Sequence, residues 1–151
     1  MKVKLSVSRE RYEELRDTLR AHGIQVDEDA ELVLCERDRS LDALLVREPG
    51  TGAWVMLPSR EIVSIESLGR DVLAYALSGA VYQAPDRLYR LSAQLDPAEF
   101  LRISNSVIVS RNHIRRIEPA LSMRFALTMS DGRRVDVTHS YYYIFKESFG
   151  I

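Results

Sequence analysis

The polar triplet Ser104–Asn105–Ser106 separates two short apolar runs in the last third of the chain. A triplet placed between two strands projects outward at the turn that joins them. An Asn carboxamide both donates and accepts hydrogen bonds. Asn105 could therefore pair with N6 and N7 of adenine in a DNA major groove, a contact that discriminates between bases by roughly 1–3 kcal/mol. The alternative is an Asx-turn, in which the Asn105 side chain satisfies its own backbone.

A second polar group follows almost at once and contains Arg111. We expect Ser104, Arg111, Asn112 and His113 to border one loop, where Arg111 is a natural partner for a DNA phosphate. Phosphate contacts fix the register of a protein on DNA and make binding salt-dependent, but they do not read the base sequence.

The spacing of the reactive residue types argues against an enzyme. The three histidines, His22, His113 and His139, have neither the i, i+4 spacing nor the cysteine partner of a zinc site. Cys35 lies in an apolar strand pattern, where a thiol is usually inert. The sequence has no Gly-rich phosphate loop, nucleophile elbow or paired-carboxylate motif. It predicts a protein without catalytic residues, cofactor or metal.

Short strands with closely spaced turn signals run from residue 49 to the end, a pattern typical of a mainly β domain. Residues 130–132 (Ser-Asp-Gly) predict a hairpin turn, because Asp-Gly accepts the positive φ angles of such turns. Ser140 is a candidate N-cap for a terminal helix. Further predicted features are a helix carrying Leu88, Leu91 and Leu95, a buried strand face of Met123, Phe125, Leu127 and Met129, and a buried or half-buried Trp54.

The first 48 residues predict a small βαβ-type module suited to dimerisation or sensing. Alternating apolar residues from Val3 to Val7 predict a strand, and apolar residues at helical spacing from Tyr12 to Leu19 predict a helix. The module is too short for a receiver domain and lacks the paired acids of one. Residues 49–52 (Pro-Gly-Thr-Gly) mark the predicted boundary with a second domain at 49–151.

Charge is distributed unevenly along this chain of net charge -1. Residues 100–134 contain seven arginines and two acids, a local charge of +5, whereas residues 1–48 contain nine bases and twelve acids, a local charge of -3. The asymmetry predicts a basic binding face and a separate acidic module. A solvated surface of mixed charge is the alternative.

The single cysteine is typical of a reducing compartment. No apolar run approaches the roughly 18 residues of a membrane span, and the N-terminal residues do not form a signal-peptide apolar region. We therefore expect a cytoplasmic protein that does not itself span a membrane.

Residues 50–151 resemble the LytTR-type DNA-binding domains of bacterial transcription regulators. The resemblance rests on separate features in the family's order. These are a strand ending in Ile65–Glu66, a second strand at 71–77, the helix of Leu88, Leu91 and Leu95, the segment Phe100–Ser106, a hairpin at 125–137, the tripeptide Val137–Thr138–His139, and the Tyr-rich segment 141–146.

This resemblance implies an elongated, mainly β fold with short helices, preceded here by a small α/β module, that contacts DNA through loops. It places Arg70 in a loop that reaches a neighbouring groove, where its forked guanidinium would suit guanine O6 and N7. His139 lies where the family usually carries Arg and could contact a base or a phosphate. Ser140 could present backbone N–H groups to a phosphate. The alternatives are an ordinary loop arginine for Arg70 and a packing or capping residue for His139.

The implied function is promoter binding by a transcriptional regulator on directly repeated half-sites, with bending of the DNA. Two copies or a homodimer would then occupy one promoter, and small regulators of this type often act beside a membrane-protein partner. The alternative is a protein-interaction module that keeps the fold without reading DNA. His139 in place of Arg and the near-neutral net charge favour that alternative.

Overall fold

The computed structural model describes residues 1–36 and 42–151. The chain forms two compact units, Met1–Leu41 and Asp42–Ile151. The first unit contains β1 (Lys2–Ser6), α1 (Arg9–Ala21), β2 (Gln25–Val26) and β3 (Leu32–Cys35). Its three strands form a parallel sheet in the order β2-β1-β3. Val3 and Leu5, on alternate positions of β1, are buried apolar residues of this unit.

The second unit begins earlier than the sequence predicts. The strands β4 (Ala43–Arg47) and β5 (Trp54–Pro58) pair with each other, and β4 also pairs with β8 (Val81–Gln83). The Pro-Gly-Thr-Gly segment 49–52 is therefore a hairpin turn and not a linker, since Glu48 N–H donates to Ala53 O at 2.7 Å. The boundary lies before Asp42, because β4 belongs to the sheet of the second unit.

The main sheet of the second unit adds four strands to β4, β5 and β8, namely β6 (Ile62–Leu68), β7 (Asp71–Ala76), β9 (Phe100–Ser104) and β10 (Val107–Ser110). Its seven antiparallel strands have the order β5-β4-β8-β7-β6-β10-β9. Helix α2 (Leu88–Gln94) lies against this sheet, because its leucines repeat at helical spacing and bury one face. Leu91 is fully buried, and Leu88 and Leu95 are buried beside it.

A smaller antiparallel sheet follows, built from β11 (Ile114–Ala120), β12 (Arg124–Met129) and β13 (Arg134–Val137). Its apolar face packs with helix α3 (Tyr142–Phe149) and with Val63 of β6 and Ile103 of β9. Phe125 stacks on Tyr142 with 4.9 Å between ring centroids. This second core therefore joins the two sheets and fixes the end of the chain.

The structure confirms a mainly β fold with short helices and corrects two details of the predicted core. Met123 is 39% exposed, because its positive φ of 54° breaks the strand alternation just before β12. Trp54 is 59% exposed, because it lies with Met56 on the exposed face of β5, opposite buried Leu57. Among the residues that the structure describes, no helix is both long and apolar enough to cross a membrane.

Candidate functional site

Two turns that carry predicted contact residues lie at one end of the seven-stranded sheet. Gly69 and Arg70 connect β6 to β7, and Asn105 and Ser106 connect β9 to β10. The strands β6 and β10 are antiparallel neighbours in which Val107 pairs with Glu66. A hydrogen bond of 2.8 Å from Ser67 N–H to Ser106 O extends this pairing to the turns themselves. Arg70 and Asn105 therefore project from the same end.

A third turn, the 3-10 turn His139–Tyr141, is attached to the same end of the sheet. The backbone N–H of Thr138, which precedes this turn, donates to Ile103 O of β9 at 3.0 Å. The Tyr141 hydroxyl donates to the Asn105 carboxamide oxygen Oδ1 at 3.1 Å. These bonds bring His139 to the end that carries Arg70 and Asn105. We call residues 69–70, 105–106 and 139–141 the three-turn surface.

Arg102 on β9 holds the backbone of the Asn105 turn. The Arg102 guanidinium donates from Nη2 to Asn105 O at 2.6 Å and from Nε to Ser104 O at 3.1 Å. Two charge-assisted bonds to adjacent carbonyls fix the path of the backbone through the turn. The Asn105 side chain itself is exposed to solvent.

Ser104 has a different place from the one predicted. Its side chain is buried, at 6% exposure, and its Oγ accepts a hydrogen bond of 3.2 Å from Ser106 N–H. Ser104 thus forms the side-chain-to-backbone turn that the sequence also allowed for Asn105. The Asn105 carboxamide is bonded to Tyr141 instead. Ser104 therefore shapes the turn, whereas Asn105 faces outward from it.

The predicted helix cap at Ser140 is wrong. Helix α3 begins at Tyr142, its N-cap position is Tyr141, and Ser140 lies within the preceding 3-10 turn. The extra turn arises because Tyr141 N–H bonds to Thr138 O at 3.0 Å, which shifts the helix start. Both His139 and Ser140 are exposed in this turn.

Arg111 does not join the three-turn surface. It follows β10 and so lies at the opposite end of that strand from Asn105. Its guanidinium donates to the Ser148 hydroxyl at 2.5 Å and to Ser148 O at 3.0 Å, and lies 4.4 Å from the ring centroid of Phe149. These contacts hold the last turn of α3, so Arg111 acts within the fold.

His113, which was expected beside the same loop, is also structural in its contacts. It is 6% exposed, and its Nε2 lies 2.6 Å from Arg60 O. A carbonyl oxygen only accepts, so Nε2 is the donor in that bond. The other ring nitrogen, Nδ1, lies 2.7 Å from the Ser130 hydroxyl. Both polar atoms of the ring are therefore satisfied inside the protein.

Several arginines of the arginine-rich segment are bonded within the protein. Four of its seven arginines bond to groups of the fold: Arg102 to the Asn105 turn, Arg111 to Ser148, Arg115 to Asn112 O and Arg133 to Glu66. A fifth, Arg116, pairs with Glu118 at 3.0 Å on the surface. The carboxylates of Glu66 and Glu118 offset two of these positive charges, whereas a carbonyl or hydroxyl oxygen leaves the guanidinium charge in place.

Two contributions to the site were missed from the sequence. Neither the contact made by the Tyr141 hydroxyl nor the clamp from Arg102 was predicted. A polar turn flanked by an arginine two or three residues earlier is a usable local signal for such a clamp. The Tyr141 contact has no local signal, because the two residues lie 36 positions apart.

The chain is similar to known DNA-binding regulators. A family model described as the LytTr DNA-binding domain matches residues 52–150. A solved LytTr DNA-binding domain from Bacillus cereus superposes with a TM-score of 0.67 at 26% identity, covering 72% of this chain and 98% of that one. The similarity to that domain therefore includes the amino-acid sequence as well as the fold, over almost its whole length.

Two curated relatives are regulatory proteins by name. The transcriptional regulatory protein LytR of Staphylococcus aureus (strain N315) is 23% identical over 141 residues, which cover 93% of this chain and 56% of that protein. The sensory transduction protein LytT of Bacillus anthracis is 35% identical over 60 residues, which cover 40% of this chain and 24% of that protein. The match to LytR, the longer of the two matches, thus spans little more than half of that protein.

Proposed function

This chain belongs to the LytTr DNA-binding domain family, and from that premise we propose that it is a transcription regulator whose three-turn surface reads promoter DNA. The family is one of DNA-binding domains and not of enzymes. One observation supports the proposal that this surface reads DNA. Arg70, Asn105 and His139 lie on three adjoining turns at the same end of the seven-stranded sheet.

Each exposed side chain of the three-turn surface has its own recognition chemistry. The Arg70 guanidinium can donate two parallel bonds to guanine O6 and N7, and the Asn105 carboxamide can pair with adenine N6 and N7. The His139 imidazole offers fewer donors than arginine and suits a single base or phosphate contact. Ser140 lies beside it and can contact a phosphate through its hydroxyl or backbone. Readout would come from turns, because the apolar faces of α2 and α3 are packed in the two cores.

We also propose how copies of the protein assemble on DNA. Two copies, as a homodimer or side by side, would occupy repeated half-sites and bend the duplex between them. Smooth bending by 40–90° costs on the order of 1–6 kcal/mol and depends on the sequence that is bent, so it would add selectivity at base pairs that no side chain touches. The N-terminal unit would serve dimerisation or sensing, and a membrane protein is a candidate partner.

Fluorescence anisotropy tests this function directly. The protein is titrated against its own upstream promoter duplex and against a scrambled duplex of equal length, at several salt concentrations. We expect tighter binding to the promoter and a steep fall of affinity with salt. Asn105→Ala should reduce the promoter preference by about tenfold or more, corresponding to the loss of one bidentate base contact.

Asn112→Ala is the matched control, since Asn112 is an exposed asparagine in the 3-10 turn Arg111–His113, at the other end of β10. It should leave the promoter preference unchanged. Equal binding of both duplexes by the unmodified protein would contradict sequence-specific readout. A promoter preference that survives in Asn105→Ala would remove Asn105 from the site.

A second candidate function is a protein-interaction module without base readout. The observation favouring it is an exposed apolar group on one face of β4 and β5, formed by Leu45, Trp54 and Met56 at 45%, 59% and 60% exposure. Leu45 and Met56 are direct cross-strand partners. A folded protein that binds neither duplex, at any salt concentration tested, would favour this function over DNA binding.

A further inference from the structure

We infer that Tyr141 is a positioning residue that sets the base specificity of Asn105. This inference rests on the proposed function, because it assigns Tyr141 a role in the readout made by the three-turn surface. Its basis is the hydrogen bond of 3.1 Å from the Tyr141 hydroxyl to Asn105 Oδ1, which joins two residues 36 positions apart in the chain.

The Tyr141 hydroxyl is held in place by the rest of its residue. Tyr141 packs against the second core, whose buried residues include Val137 and Phe145. Its backbone N–H bonds to Thr138 O at 3.0 Å, and Thr138 N–H bonds in turn to Ile103 O of β9. The hydroxyl therefore approaches Asn105 from a fixed direction, while the Arg102 clamp fixes the backbone of the Asn105 turn.

This bond holds the Asn105 carboxamide in one direction. A phenol hydroxyl both donates and accepts, so it can bond either end of the carboxamide, and what it fixes is the plane and direction of that group. With the oxygen bonded to Tyr141, the two N–H groups are free to meet a base. The oxygen keeps a second lone pair, so it can still accept from adenine N6 while the NH₂ donates to N7.

Loss of the hydroxyl would release this orientation. The carboxamide could then turn freely about its side-chain torsions, and its oxygen and NH₂ would face adenine N6 and N7 together for less of the time. A recognition side chain held by a supporting residue keeps its specificity, and a loosely held one loses it.

Tyr141 also connects two of the three turns. It is in the same 3-10 turn as His139 and bonds to the turn that carries Asn105. The hydroxyl thus couples the placement of His139 to that of Asn105. A change at this one oxygen should therefore alter base preference without removing any group that touches DNA.

The test is Tyr141→Phe, which removes the hydroxyl and keeps the packed ring. Anisotropy is measured on a panel of duplexes in which each base pair of the site is replaced in turn. We expect the preference at the base pair read by Asn105 to fall roughly 3- to 10-fold, the range for one lost hydrogen bond. Affinity for the scrambled duplex and the unfolding midpoint should stay unchanged.

Tyr143→Phe is the matched control. Tyr143 is 65% exposed, and its hydroxyl makes a long contact of 3.9 Å to Met123 Sδ. It should bind the whole panel like the unmodified protein. The double variant Asn105→Ala with Tyr141→Phe separates a positioning role from an independent contact. It should match Asn105→Ala alone, because Tyr141 acts only through Asn105.

Each other outcome overturns the inference in an identifiable way. If Asn105→Ala loses preference and Tyr141→Phe does not, the positioning role fails and the proposed function stands. Additive losses in the double variant would show that Tyr141 contacts DNA itself, which also overturns the positioning role. If Asn105→Ala retains full promoter preference, the Asn105 readout fails together with the inference built on it.

Discussion

The Glu66 carboxylate and the Arg133 guanidinium form an ion pair, with 2.5 Å between Oε2 and Nη2, that joins the seven-stranded sheet to the small sheet. The Ser64 hydroxyl donates to the same carboxylate oxygen at 3.0 Å. Arg133 also lies 3.5 Å above the ring centroid of Tyr75. This network crosses between β6, β7 and the β12–β13 turn. It connects β6, the strand that leads to Arg70, to the small sheet.

Glu66→Gln should lower the free energy of unfolding by about 1–2 kcal/mol. Glu66 is only 13% exposed on its side chain and Arg133 is 34% exposed, so the pair is better shielded than a surface pair but still partly screened by water. The measurement is urea unfolding followed by circular dichroism. Glu118→Gln is the control, because its pair with Arg116 is exposed at 41% and 71%. Equal effects of the two substitutions would contradict the role given to Glu66.

His113→Phe should lower the free energy of unfolding by about 1–3 kcal/mol. Phenylalanine fills a similar space but leaves Arg60 O without its donor and the Ser130 hydroxyl without its ring partner. Urea unfolding measures the change. His139→Ala is the control, since His139 is exposed and should cost little stability. A His113→Phe protein as stable as the parent would show that these two bonds contribute nothing net.

Arg111→Gln separates a structural role from a phosphate contact. We expect a loss of about 1–2 kcal/mol in the free energy of unfolding, because the bonds to Ser148 and the contact with Phe149 are lost. The salt dependence of DNA binding should not change. If the slope of log affinity against log salt falls by about 1, Arg111 contacts a phosphate after all.

Much of the fold follows from local sequence patterns. The Ser-Asp-Gly segment gives the β12–β13 turn, where Gly132 has a φ of 86°. The spacing of Leu88, Leu91 and Leu95 gives a buried helix face. Both features depend on neighbours within a few residues, and such patterns carry that information directly.

Features that depend on distant pairing could not be predicted in the same way. The Pro-Gly-Thr-Gly segment has the composition of a linker and of a hairpin turn alike. The pairing of Arg47 with Gln83 and the burial of Leu44 and Val46 in the core beside α2 place β4 in the second unit. Trp54 has the residue type of a core position but lies on the exposed face of β5. In the site, the turn that bears Asn105 was predictable, whereas its bond to Tyr141 depends on the folded chain.

His139→Arg should strengthen DNA binding and increase its salt dependence. An arginine at this exposed position adds a full positive charge and a forked donor, which can bond bidentately to guanine or to a phosphate. We expect the slope of log affinity against log salt to steepen by up to about 1. Anisotropy across salt concentrations measures it, with His22→Arg in the N-terminal unit as the charge-matched control. Equal gains in the two variants would mean that the added charge acts nonspecifically.

Binding of DNA at the three-turn surface is tested most directly by two-dimensional amide NMR of the ¹⁵N-labelled protein with and without the promoter duplex. We expect the amide signals of residues 69–70, 105–106 and 139–141 to shift most on binding. We expect little change at the β7–β8 turn, residues 77–80, and at the Arg111–His113 turn, which lie at the other end of their strands. Shifts concentrated at residues 77–80 and 111–113, with the three turns unchanged, would contradict binding at this surface.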